Sequence, residues 1–88
     1  MSFSIRIRES AAAELRRAAR PERARIVAAI DRLAETPHLG AALKGDLRGL
    51  RRIRVGDYRV VYEVGDVELV VLVVRVAHRR DVYRRTPG

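Results

Sequence analysis

Between Val67 and Ala77 the chain reads Val-Glu-Leu-Val-Val-Leu-Val-Val-Arg-Val-Ala, which is apolar on both faces of an extended strand. Successive side chains of a strand point to opposite faces, so a run of this kind needs shelter on both. It predicts a strand over residues 67–77 in the middle of a sheet, with a neighbour on each side. A membrane span is not an alternative. The longest uninterrupted aliphatic stretch, Leu69 to Val74, is six residues, whereas a spanning helix takes roughly twenty. No membrane partner is expected.

One neighbour of that strand is legible upstream. Residues 52–63 read Arg-Ile-Arg-Val-Gly-Asp-Tyr-Arg-Val-Val-Tyr-Glu, two alternating segments around Gly56-Asp57. A two-residue loop with glycine first is a standard hairpin connection. Val55 then pairs with Tyr58, Arg54 faces Arg59 and Ile53 faces Val60. Residues two apart share a face, so Arg52, Arg54 and Arg59 cluster on one side with Ile53, Val55, Val60 and Tyr62 behind them. Like charges directly opposite one another are destabilising unless an anion neutralises them. The cluster reads either as a phosphate-holding face or as ordinary solvated arginine on a basic chain.

The remaining elements follow from period and punctuation. Phe3, Ile5 and Ile7 alternate with polar residues, predicting a first strand over 2–8, a candidate member of the same sheet. Ser10 is placed to cap a short helix ending near Ala19, with Ala11, Leu15 and Ala18 on one stripe. Pro21 suits the first turn of a second helix over 21–35, whose stripe is Ile26, Val27, Ile30, Leu33 and Ala34. Thr36-Pro37 ends it. A long loop with Gly40, Gly45 and Gly49 then leads into strands at 50–55, 58–64 and 67–77, with Gly65-Asp66 as the last turn. The expected fold is α+β: an N-terminal strand, a helical hairpin and a three-stranded antiparallel meander forming one sheet packed on the helices. Residues 1–88 are expected to form a single domain, the size at which one core is the norm.

Composition narrows the chemistry. The 88 residues carry 18 Arg and one Lys against 11 acids, a formal charge of +8. Arginine suits planar, bidentate contact with phosphate or carboxylate. The charge is spread along the chain, so an anion site has to be assembled by folding. Cysteine is absent, which removes disulfides and thiolate zinc sites and fits a cytoplasmic location. The two histidines lie forty residues apart, with no helical ligand spacing, so no metal and no cofactor is expected. No nucleophile-elbow serine or phosphate-binding glycine loop occurs. What remains is phosphate chemistry by arginine, histidine and tyrosine, or simple polyanion binding.

The second chemical cluster is the tail His78-Arg79-Arg80-Asp81-Val82-Tyr83. If the Gly65-Asp66 turn keeps two residues in its loop, even-numbered positions of the last strand share the face of Arg59 and His78 points toward the arginines. A one-residue bulge reverses that. His78 is the better acid/base candidate of the two histidines, since an imidazole among polar neighbours is suited to proton transfer. Lys44, Arg48 and Arg51, in and after the long loop, are placed to flank a polyanion, with Arg80 as a further contact.

The order of elements, Gly-Asp-Tyr-Arg-Val-Val-Tyr-Glu-Val at 56–64, the lead-in Leu-Lys-Gly-Asp-Leu-Arg-Gly-Leu at 43–50 and His-Arg-Arg-Asp-Val-Tyr at 78–83 resemble the RelE/ParE superfamily of toxins from type II toxin-antitoxin systems. The resemblance covers nearly the whole chain and is nearest to the RelE branch. It implies a ribosome-dependent endoribonuclease that cuts messenger RNA in the A site by attack of a ribose 2′-hydroxyl on the adjacent phosphate. It also implies a cognate antitoxin, with the ribosome and its RNA contacted by the basic surface. Carried over residue by residue, Arg52 and Arg54 would contact and activate the substrate, and Arg59 would support charge on the scissile phosphate. Arg79 would stabilise the leaving group and Tyr83 would stack on or activate the substrate, while His78 lies where relatives carry a basic or imidazole side chain. Where the paradigm enzyme has lysines this chain has Arg52 and Arg54, which cannot readily release a proton. Base duty then falls to His78 or Tyr83. The alternatives are a ParE-like toxin that traps DNA gyrase and an inactive binding or regulatory member.

Overall fold

The computed structural model describes residues 2–80; Tyr83 lies outside them. The elements are β1 (Ser4–Ile7), α1 (Glu9–Arg17), α2 (Arg20–Arg32), β2 (Ala41–Ala42), a 3-10 turn over Gly45–Leu47, β3 (Leu50–Val55), β4 (Tyr58–Gly65) and β5 (Val70–His78). The strands form one sheet in the order β1-β5-β4-β3-β2. The doubly apolar run therefore has a neighbour on each side, β1 in parallel and β4 antiparallel. The α+β class, the helical pair and the antiparallel meander agree with the sequence expectation. The fifth strand, β2, is an addition. Two alanines within the long loop carry no alternation to announce it, and they pair with Arg51 and Arg52 only because the loop folds back along β3.

Both helices cover one face of the sheet. Ala11 and Ala18 at α1, with Ile26, Ile30 and Leu33 at α2, are buried against Val60 and Tyr62 of β4 and Val71, Val73 and Val76 of β5. Val27, expected on this stripe, is instead 42% exposed, one residue round the helix from Ile26. Pro21 sits in the first turn of α2, where its missing N–H costs nothing. Ser10 does not cap α1. The helix starts at Glu9 without a side-chain cap, because Arg8 N–H still donates to Val73 O at 2.9 Å while Arg8 O accepts the first helical bond from Ala12. Strand pairing runs directly into the helix and leaves no position for a serine cap. Among the described residues no helix is long and apolar enough to cross a membrane.

The turn between β4 and β5 takes four residues, with Leu69 at φ 60°, so β5 starts at Val70 and not at Val67. Gly65 pairs with Val70. The segment before β3 is held by side chains. The fully buried Tyr62 hydroxyl donates to Pro37 O at 2.8 Å and accepts from Gly40 N at 2.9 Å. Arg51 Nη1 donates to Gly40 O at 2.6 Å. Backbone groups that no helix or strand satisfies thus find partners reaching out from the sheet, as buried polar groups must. A Cβ on Gly40 would stand 2.7 Å from both Arg52 O and Tyr62 Oη, so the approach is open to glycine alone.

Replacing Tyr62 by Phe keeps the ring and orphans two buried backbone groups. The expected loss is about 1–3 kcal/mol, read as a lower urea midpoint with an unchanged denaturant slope.

Candidate functional site

The hairpin forms in the expected register, with Val55 opposite Tyr58, Arg54 opposite Arg59 and Ile53 opposite Val60. Gly56 has φ 60° and Asp57 stays at negative φ, the pattern of a glycine-first two-residue turn. Arg52, Arg54 and Arg59 consequently occupy the sheet face opposite the helices. Arg54 is exposed, and Arg52 and Arg59 are half-buried. Their neighbour from the tail is Arg79, whose amide donates to Asp57 O at 2.7 Å, pinning the end of β5 to the hairpin turn. Arg54, Arg59 and Arg79 line a small cleft of about 120 Å³ with Gly56, Asp57 and Tyr58. Among the described residues the side chains of Arg52, Arg54 and Arg79 have no hydrogen-bond or ion-pair partner. Guanidinium groups converging in this way on a shallow cleft suit the oxygens of a phosphodiester.

His78 is not in this cluster. Its Cα partner is Tyr58, on the helix side of the sheet, and the two rings meet edge to face with centroids 5.1 Å apart. The cause is a bulge. Tyr62 pairs with Val73 but Val61 pairs with Arg75, leaving Val74 as an extra residue in β5. The four-residue turn alone would have kept even-numbered positions on the face of Arg59. The bulge exchanges the faces, sending Ala77 and Arg79 toward the arginines and Val76 and His78 toward the helices. His78 is therefore corrected from the arginine face to the opposite one.

The bulge sits where β1 gives out. β1 pairs with β5 only as far as Val73, so the next stretch of that edge lacks a strand. Glu14 of α1 replaces it, its carboxylate accepting from Val76 N at 2.7 Å and from Arg75 Nε at 3.0 Å. No motif in the sequence singles out Glu14, which reads as an ordinary polar residue of an alanine-rich helix.

The residues expected to flank a polyanion are scattered. Arg51 faces away from Arg52 and Arg54 and serves the loop, donating to Gly40 O and to His38 O. Lys44 and Arg48 flank the 3-10 turn at the start of β3, about 17 Å from the hairpin turn at strand spacing. Arg80 borders the helix-side cavity shared with His78. His38, for which the sequence suggests no partner, lies 3.3 Å from Asp66 across exposed surface. Among the described residues no group of three or more His, Cys, Asp or Glu side chains is placed to hold a metal ion.

Two helices on one face of a five-stranded sheet, with arginines gathered at one end of the other face, define the RelE-like class of α+β fold. A family model described as the ParE toxin of the type II toxin-antitoxin system parDE matches residues 5–83, and the chain belongs to that family. Among curated relatives, Toxin RelE of Mycobacterium tuberculosis is 45% identical over 56 residues, covering 62% of this chain and 58% of the relative, so the match spans less than two thirds of that protein. Toxin RelG of the same organism is 37% identical over 67 residues, covering 69% of this chain and 77% of the relative. Among solved structures, the RelBE2 toxin-antitoxin complex from M. tuberculosis superposes with a TM-score of 0.84 at 27% identity, over 90% of this chain and all of that one.

Glu14→Ala should lower stability by about 1–3 kcal/mol, since it leaves the Val76 N–H without an acceptor. Glu14→Gln keeps an acceptor oxygen and should lose clearly less, as read by urea melts of the two variants side by side.

Proposed function

We propose that the chain is a ribosome-dependent endoribonuclease toxin that cuts messenger RNA in the A site and is held inactive by a cognate antitoxin. The observation that carries this reading is the gathering of Arg54, Arg59 and Arg79 about one cleft at the hairpin turn. In-line attack of a ribose 2′-hydroxyl on the adjacent phosphate builds negative charge on a pentacoordinate phosphorus and on the departing 5′-oxygen. Preorganised guanidinium donors stabilise such charge without reorganising during the reaction. In this reading Arg59 bears the charge on the phosphate and Arg79 that on the leaving oxygen, while Arg52 and Arg54 grip the strand. No cofactor is required.

Proton removal needs another group, because a guanidinium does not give up its proton. With His78 on the helix side of the sheet, Tyr83 is the remaining candidate for base duty, or for stacking on the substrate. Residues 1–88 act together as one toxin domain in the cytoplasm. Two features support an antitoxin partner. One solved relative is itself a toxin-antitoxin complex, and a formal charge of +8 favours rapid capture by an acidic segment. Lys44 and Arg48, remote from the cleft, then fall to contacts with ribosomal RNA, and Arg51 to the fold.

The family model bears the ParE name, which keeps trapping of DNA gyrase as the second reading. Induction of the chain in cells, with messenger RNA ends and DNA breaks mapped in parallel, separates the two. Cuts within codons without DNA breaks are expected, and breaks with intact messages would establish the second reading. In a translating extract, Arg59→Ala and Arg79→Ala should each lower the single-turnover cleavage rate by about 100- to 1,000-fold, the usual loss on removing one preorganised donor.

A further inference from the structure

The face that received His78 has chemistry of its own. Tyr58 and His78 together border two adjacent cavities on the helix side. One, of about 260 Å³, is completed by Glu14, Arg17, Val76 and Arg80. The other, of about 270 Å³, is completed by Ala19, Glu22, Arg25, Gly56 and Asp57. The rings stand at 84°; both residues are half-buried, with Tyr58 packed against the core, and the parts of the rings that border the two cavities are what remains for stacking. His78 Nδ1 accepts from Arg80 N at 3.1 Å, which leaves Nε2 to carry the proton of the neutral ring as a donor.

Three arginines surround this pair. The side chains of Arg17, Arg25 and Arg80 have no hydrogen-bond or ion-pair partner among the described residues, and all three residues are exposed. The Arg25 guanidinium reaches the hairpin turn, its nearest nitrogen 3.7 Å from where a Cβ on Gly56 would stand. The Glu14 carboxylate is already engaged with Arg75 and Val76 and does not neutralise Arg17. Glu22 and Asp57, in the second cavity, offer acceptors to the amino groups of a base. Aromatic faces for stacking with guanidinium groups for the backbone are the requirements of single-stranded nucleic acid binding.

We propose that the Tyr58–His78 pair and Arg17, Arg25 and Arg80 form a nucleotide-binding subsite, the base stacking on the rings and the phosphates lying against the arginines. It lies across the hairpin turn from the Arg54–Arg59–Arg79 cleft. An RNA strand crossing that turn is gripped on both sides of the sheet. The assignment of the nucleotide to an RNA strand rests on the endoribonuclease reading; the binding of a nucleotide does not.

The test uses the full chain without ribosomes, titrated with a five-nucleotide single-stranded RNA and separately with adenosine monophosphate. The Tyr58 and His78 ring signals are followed by NMR and affinity by fluorescence anisotropy. The RNA is expected to shift both rings. His78→Ala should weaken binding by about 5- to 150-fold, the usual loss of one stacking platform. Arg17→Ala with Arg25→Ala, two exposed positions whose truncation spares the core, should flatten the slope of log affinity against log salt by about 0.7 for each phosphate contact removed. Ring shifts with the mononucleotide as well mark a site for free nucleotides, and shifts with the RNA alone mark a site for the strand. Either supports the subsite. Unshifted rings with both probes, or parental affinity and salt slope in the arginine double variant, overturn it. Cleavage in the translating extract reports separately on the arginine cleft, so either proposal can fail alone.

Discussion

One extra residue in β5 governs the functional layout. With Val74 bulged between the pairs Tyr62–Val73 and Val61–Arg75, the strand changes which side chains it offers to each face. Before the bulge Val71 and Val73 serve the core; after it Val76 takes that role, and Arg79 joins the arginines across the sheet. A bulge costs a ladder position and is best tolerated where the strand has lost a neighbour. β1 ends at that point, and the Glu14 carboxylate satisfies the amide that a strand would have paired. A helix, a short parallel strand and an irregular central strand are therefore one device, and it sets the position of Arg79.

The same economy appears at the other end of the sheet. The segment from Pro37 to Gly40 has no ladder of its own, and its backbone is held by the Tyr62 hydroxyl and the Arg51 guanidinium. Arg51 thereby leaves the pool of cations available to a ligand. On a chain this basic the guanidinium groups divide by partner. Arg51 and Arg75 are committed to the fold and Arg16 and Arg23 to surface bonds on the helices, whereas among the described residues the side chains of Arg52, Arg54 and Arg79, like those of Arg17, Arg25 and Arg80, have no such partner. Arg54 stands directly opposite Arg59, and a like-charge pair of this kind is favoured by any anion held beside it.

The hairpin and its register were legible because alternation and a glycine-first turn are local properties, each pair following from the one before. The α+β class was legible for the same reason, and so was the central position of β5, since a run apolar on both faces has few places to go. The start of α1 was not, because strand pairing between Arg8 and Val73 set it. The two-residue strand β2 was not, because its pairing depends on a loop tied down by a tyrosine distant in sequence.

For the candidate site the division is sharper. The arginine face of the hairpin follows from local pattern, because strand geometry carries Arg52, Arg54 and Arg59 to one side once the turn is known. Whether His78 or Arg79 joins them follows only from long-range packing. Parity along β5 depends on a single unpaired residue, and nothing in a row of valines marks which one is extra. The extra residue falls where β1 ends and Glu14 reaches the strand, two elements far away in the chain, and it places Arg79 with the arginines and His78 with Tyr58.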